Sequence, residues 1–280
     1  MPMNLNQIKQ WLDQRLDKPY TLTPTNLGIS NESYRLQTQN HTYIVRTPRS
    51  SHACLDLRFH EEARVLALVK DLDVPLVDFD TQNGIKITTY IPDTCTYAQA
   101  RSQNKAWQVG RTLKALHQKP AVSFAFDPFQ KLERYRSRIA HPLVHFEQAD
   151  AVIARVQKLY RPDTLCHNDV VDGNLLFTSR RLYLIDYEYA SMNDYRFDLA
   201  SFLSENQIED EKERLLFFEG YGLANDLQAQ QEVRLFECFE DILWGYWANM
   251  LYDSTHDSVY QTIALEKQAH YHAWLHTLAL

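Results

Sequence analysis

Between residues 20 and 91 the apolar positions fall in short runs. TLTPTNLGIS, ESYRLQTQ, TYIVRTP, PLVDFD and IKITTYI are rich in β-branched or aromatic residues and bounded by Gly, Asn or Pro, the pattern of short strands. QTQNHTY, between the second and third, predicts a hairpin turn. One stretch departs from this pattern. In LRFHEEARVLALVKDL the residues Val65, Leu66, Leu68, Val69 and Leu72 recur at helical spacing. Residues 1–91 therefore predict a small antiparallel sheet with one inserted helix. After Pro92 the period changes to about 3.6 residues, in WQVGRTLKALHQ, FQKLERYRSRI, DAVIARVQKLY and RLFECFEDILWGYWANMLYDS. A short β interruption, TLCHNDVVDGNLLFTSRRLYLIDYE, breaks this helical region near 164–187. A strand-rich lobe over 1–91 and a helix-rich lobe over 92–280 predict an α+β architecture with a cleft between the lobes, a common place for ligands.

Composition narrows the classes of function. The 280 residues are 45% hydrophobic and 23% charged, with seven glycines and ten prolines, which excludes linker-rich and low-complexity chains. The net charge of −7 comes without any basic run, so nucleic acid is not an expected partner. Such a charge is compatible with a cationic small molecule. Cys54, Cys95, Cys166 and Cys238 are scattered with no C-x-x-C pair and read as reduced thiols. The amphipathic start MPMNLNQIKQWLDQRLDK lacks the apolar core of a signal peptide, and no stretch approaches a membrane span. The expectation is a cytoplasmic protein; its oligomeric state is open.

The chemistry concentrates in CHNDVVDGNLLF and the following LYLIDYEYA. Asp169 follows His167 by two positions, Asn174 follows Asp169 by five, and Asp186 closes the apolar run LYLI. Phosphoryl transfer needs a carboxylate at the attacking hydroxyl and hard oxygen ligands for the metal on the triphosphate. Asp169 is the candidate catalytic base, with Asn174 and Asp186 the candidate magnesium ligands. Each residue alone has an ordinary explanation as a turn, a cap or a strand end. The joint spacing is what points to a kinase. Upstream, Arg46 in TYIVRTP is the candidate cation for nucleotide phosphates. Glu62 is its best helical partner, with Glu61 the competitor because helix phase does not separate adjacent residues. GISNES supplies a candidate phosphate-covering loop, with Ser30 and Asn31 as its contacts, although Gly28 is its only glycine.

Taken together, CHNDVVDGNLLF, LYLIDYEYASMND, RFDLASFLSEN and ILWGYWA resemble the choline/ethanolamine kinase family, in its bacterial choline kinase branch. The resemblance implies a protein-kinase-like bilobal fold within the aminoglycoside-phosphotransferase-like group. It implies ATP and magnesium as cofactors, with the adenine at the hinge residues Thr89, Tyr90 and Ile91. It also implies that Glu188 lies near metal and substrate, that Asp198 supports the catalytic loop, and that Glu205 faces the acceptor's cation. A quaternary ammonium has no N–H to donate and is held by aromatic faces. Trp244 and Trp247, three apart on one helix face, fit that need, and Tyr189 adds a further wall. The implied reaction is phosphorylation of choline by ATP. The alternatives are ethanolamine, thiamine or an aminoglycoside as acceptor, or a nucleotide-binding pseudokinase.

Three other features carry no chemistry in this reading. His272 and His276 read as a solvated face, His117 as a packing or hydrogen-bonding group at a helix end, and EDEKER at 209–214 as an exposed helical face.

Overall fold

A computed structural model describes residues 5–16, 19–25, 31–48 and 58–278. The chain separates into two compact units, Met1–Ala100 with Gly173–Tyr189, and Arg101–Asp172 with Ala190–Leu280. The chain passes between units at three places, after Ala100, Asp172 and Tyr189, and the hydropathy change at Pro92 lies within the first unit. The return of residues 173–189 to the first unit falls largely within the β interruption near 164–187.

The first unit is built on five antiparallel strands in the order β1-β2-β3-β5-β4: β1 (Thr21–Thr25), β2 (Asn31–Gln37), β3 (Thr42–Pro48), β4 (Leu76–Asp80) and β5 (Ile85–Thr89). The β2–β3 hairpin closes where expected, with the Thr38 N–H donating to the His41 carbonyl at 2.9 Å. Helix α1 (Leu5–Asp13) precedes the sheet, and helix α2 (Phe59–Leu68) lies between β3 and β4. Ile8, Trp11 and Leu12 of α1 form one buried core with Tyr34, Leu36, Val45, Ile85 and Ile87 of the strands. Strand alternation then sends Arg46 and Lys86 to the opposite face. The hairpin β7 (Leu175–Phe177) and β8 (Leu182–Leu184) completes this unit, tied to it by paired backbone bonds between Cys95 and Phe177.

The second unit is mainly helical: α3 (Lys105–His117), α4 (Pro128–Arg136), α5 (Ala149–Leu159), α6 (Tyr195–Glu205), α7 (Glu211–Tyr221), α8 (Leu227–Thr255) and α9 (Ser258–Leu275). Five of these helices begin on an aspartate that accepts from a first-turn N–H: Asp127, Asp194, Asp210, Asp226 and Asp257. Strand β6 (Thr164–Cys166) pairs antiparallel with β9 (Ser191–Asn193), so the segment SMN is a strand that the sequence pattern did not reveal. Helices α3 and α7 cross at Gly110 and Gly220. A Cβ on Gly110 would stand 2.2 Å from the Phe217 carbonyl oxygen, so only glycine permits this approach. Cys95, Cys166 and Cys238 are free thiols, while Cys54 lies outside the described residues. Among the described residues no helix is long and apolar enough to cross a membrane.

Candidate active site

In the first unit Arg46 and Lys86 stand directly opposite each other on β3 and β5. Two like charges in register repel, so this pair needs an anion beside it. Glu62 of α2 supplies it. Both of its oxygens accept from Arg46 Nη2 at 2.8 Å, and Oε1 also accepts from Lys86 Nζ at 2.7 Å. Burial alone would raise Glu62, but Arg46 and then Lys86 draw it below its ordinary value. The structure thus separates the two glutamates. Glu61 pairs with Arg58 at 3.1 Å, so Glu62 is the partner of Arg46.

Arg46 Nη1 contacts Asp186 Oδ1 and lies 3.5 Å from Glu188 Oε2. Burial pulls against the charged guanidinium, yet Glu62 and Glu188 outweigh it and raise Arg46 above its ordinary value. The Glu188 side chain is 2% exposed, and its Oε2 accepts from Asn31 Nδ2 at 2.9 Å. Within the first unit this carboxylate thus meets Asn31 and Arg46, the same arginine that contacts Asp186. Tyr189 ends the short 3₁₀ turn Tyr187–Tyr189 in the same unit and is half-buried. Ser30 and Gly28 lie outside the described residues.

Asn174 and Asp186 arrive together because β7 and β8 pair. Leu175 is opposite Leu184, and the Ile185 N–H donates to the Asn174 carbonyl at 3.0 Å. Asp186 has φ of 72°, a left-handed conformation that aspartate tolerates better than most residues. An amide and a carboxylate at one end of a hairpin are hard oxygen donors of the kind magnesium takes, so the residues fit that ion.

At the expected hinge, the Thr89 N–H donates to the Pro75 carbonyl at 2.9 Å and the Tyr90 N–H to the Thr42 carbonyl at 3.1 Å. Both amides are committed to neighbouring strands. The Ile91 amide has no backbone hydrogen-bond partner among the described residues.

In the second unit the loop carrying Asp169 is fixed by one carboxylate. Asp198, fully buried on α6, accepts from the His167 and Asn168 N–H groups at 2.7 Å each, and meets His117 Nε2 at 2.9 Å. Asn168 has φ of 66° and is locked by Ser191 Oγ at 3.1 Å and Asn193 Nδ2 at 2.7 Å. The Val170 N–H donates to Ser201 Oγ at 3.0 Å. Asp169 thus sits half-buried between clamped neighbours, an arrangement that holds one side chain in a set direction. His117 is the helix-end group expected, and its Nδ1 also meets Tyr221 Oη at 2.8 Å.

Further along this unit, Glu205 ends α6, and Glu240, Asp241, Trp244 and Trp247 lie on α8. The two tryptophan rings meet edge to face with centroids 6.2 Å apart. Trp247 also meets Tyr260 at 5.7 Å, and Trp244 meets Phe126 at 6.5 Å. Both tryptophans are half-buried. Lys267 of α9 reaches Glu205 Oε1 at 2.7 Å. Burial and the nearby Glu205 raise Glu240 well above the ordinary carboxylate range, which favours its protonated form.

Sequence reasoning missed Lys86, Glu240, Asp241 and Lys267. Strand register places Lys86 beside Arg46, and register is not written in a single sequence. The others lie in unbroken helical pattern, where a buried charge looks like any polar position. EDEKER also departs from its reading, because Arg214 is buried and paired with Glu237 at 2.5 Å. His272 and His276 are exposed, as expected.

A family model described as "Phosphotransferase enzyme family" matches residues 21–236. Protein LicA of Haemophilus influenzae is 24% identical over 247 residues, covering 80% of this chain and 71% of LicA. A thiamine kinase of Escherichia coli O157:H7 is 27% identical over 246 residues, covering 83% and 80% of the two chains. The crystal structure of choline kinase LicA from Streptococcus pneumoniae superposes with a TM-score of 0.80 at 24% identity, over 97% of this chain and 98% of that one. That superposition shows the protein-kinase-like fold, and the matched span, more than half of the sequence, shows that the chain belongs to the phosphotransferase enzyme family and is an alcohol-phosphorylating enzyme.

Proposed function

We propose that the protein transfers the γ-phosphoryl group of ATP to the hydroxyl of a small cationic amino alcohol, with choline the best-supported acceptor. The observation that carries the acceptor class is the acid–tryptophan cluster of the second unit. Trp244, which meets Trp247 edge to face, donates its Nε1–H to Glu240 Oε2 at 3.4 Å, and Glu240 neighbours Glu205, so a cation without N–H donors would gain both a counter-charge and aromatic faces there. Relatives named LicA and thiamine kinase both favour a small molecule, and thiamine too carries a positive ring. Thiamine is accordingly the second reading.

In this reading each residue has a defined task. Ile91, at the hinge with Thr89 and Tyr90, offers its amide to the adenine. Arg46, oriented by Glu62 and Glu188, carries positive charge to the phosphates, and Asn31 holds Glu188 in place. Asn174 and Asp186 would hold magnesium, which neutralises charge on the triphosphate. Asp186 also contacts the Arg46 guanidinium, so the group that would hold the metal and the cation for the phosphates lie side by side. Asp169 accepts the proton of the acceptor hydroxyl. Asp198 and Asn168 keep it aimed, so positioning and electrostatics supply most of the rate.

The test is Asp169→Asn, which keeps the shape of the side chain and removes its basicity. Turnover should fall by about 10²–10⁴-fold with thermal stability unchanged. Turnover equal to the parent enzyme's would remove Asp169 from the mechanism.

A further inference from the structure

Lys267 is an anomaly in a site meant for a cation. It is 8% exposed on α9, and its ammonium sits among the acids of α6 and α8: 2.7 Å from Glu205 Oε1, 3.0 Å from Ser204 Oγ and 3.5 Å from Asp241 Oδ1. A buried lysine in such a place is part of the site's charge balance.

That balance can be counted from the hydrogen bonds. Asp241 Oδ1 accepts from Ser204 Oγ at 2.8 Å, and Oδ2 meets His270 Nδ1 at 2.5 Å. Trp274 Nε1, which only donates, points its N–H at His270 Nε2 at 2.9 Å. Nε2 is therefore the acceptor, Nδ1 carries the ring proton, and His270 is neutral. It orients Asp241 without cancelling its charge. Glu240 is fully buried, its Oε1 has no partner among the described residues, and burial beside Glu205 favours its uncharged form. Glu205 and Asp241 thus share one ammonium, an excess of one acidic side chain over the cation, and Glu205 is the accessible one, its side chain 21% exposed while that of Asp241 is fully buried.

We propose that Lys267 is the specificity-determining residue of the acceptor site, a built-in counter-cation that sets the site to acceptors bearing one positive charge and rejects those bearing two or more. The proposal rests on the amino-alcohol reading above and deepens it. A monocation brings the cluster to neutrality. A second positive charge would be desolvated beside Lys267 with no carboxylate left to meet it. The residue acts on the acceptor through Glu205 and Asp241.

The experiment compares kcat/KM for choline with that for a choline derivative carrying a second quaternary ammonium on a two-carbon arm, using the full chain and magnesium–ATP. The parent enzyme and Lys267→Arg should prefer choline by about tenfold or more. In Lys267→Met, where the net charge becomes −2, the preference should shrink by about tenfold or reverse. The double variant Lys267→Met with Asp241→Asn returns the net charge to −1 and should restore the parent preference. An unchanged ratio in folded Lys267→Met, or a double variant that behaves like the single one, overturns the proposal and leaves the kinase reading intact. Should Lys267→Met not fold, Asp241→Asn alone decides. It takes the site to neutrality and should raise the KM for choline by about tenfold with kcat kept, and an unchanged KM overturns the proposal. If the parent enzyme phosphorylates no amino alcohol at all, the acceptor reading falls and Lys267 loses this role with it.

Discussion

The first unit's cluster around Arg46 and the second unit's cluster around Lys267 solve the same problem with different neighbours. Each buries cations among more carboxyls than those cations can balance, and in each a surplus carboxyl is held up by burial, Asp73 in the first and Glu240 in the second. Each also leaves an acidic side chain that is partly exposed, with Asp186 and Glu205 at 22% and 21% of their side chains. What differs is the company that acid keeps. Asp186 has the amide residue Asn174 beside it, oxygen donors suited to a small, strongly hydrated metal ion. Glu205 neighbours Glu240, whose Oε2 accepts from the Trp244 indole at 3.4 Å, and indole rings suit a large cation that gives up its water easily. Net charge attracts a cation in both places, and the surrounding atoms decide which one.

The comparison breaks first at Arg46. Arg46→Met should lower kcat by about 10²–10³-fold, because a charge aimed at the phosphates is lost, with the acceptor KM nearly unchanged. An acceptor KM that rises while kcat holds would mean that the first cluster serves the acceptor. Glu205→Gln is the mirror experiment. It should raise the acceptor KM by about tenfold and leave the KM for ATP in place, and an effect confined to ATP would dissolve the distinction.

Asp73 gives a smaller, pH-dependent effect. Burial pushes its carboxyl up to about 6, so the folded chain binds that proton more tightly than the unfolded one. The stabilisation is complete below the ordinary value of 3.8 and is lost as pH rises through about 6. Asp73→Asn, with no proton to lose, should exceed the parent by about 2–3 kcal/mol in denaturant unfolding at pH 8 and by far less at pH 4. A parent that gains stability relative to the variant between those pH values would show that Asp73 is ionised and paired. The smallest effect belongs to Glu240→Gln. A carboxyl that burial holds toward its protonated form is close in shape and charge to an amide, so unfolding should shift by no more than about 1 kcal/mol. A loss of several kcal/mol would show that Glu240 is charged and that the second cluster is counted wrongly.

Much of the first unit was legible because strands alternate and turns are punctuated. The five runs between residues 20 and 91 are the five strands, and LRFHEEARVLALVKDL contains α2. The motif residues were legible for a different reason: a hairpin of fixed length between Asn174 and Asp186 ties spacing in sequence to proximity in space. Lys86 and Lys267 were not legible, because each owes its role to a partner 24 or 62 positions away, brought near by register or helix packing. The choice of Glu62 over Glu61 was open for the same reason. Its answer lies in how α2 is rotated against the sheet.

The account's central claim is that these residues phosphorylate a monocationic amino alcohol. Incubating the enzyme with magnesium–ATP and, separately, choline, ethanolamine, thiamine and kanamycin, with ADP release followed and product masses measured, tests it most directly. The account predicts phosphocholine as the dominant product and no phosphorylated kanamycin. Preferential phosphorylation of kanamycin, or ADP release with no phosphorylated amino alcohol, would contradict it.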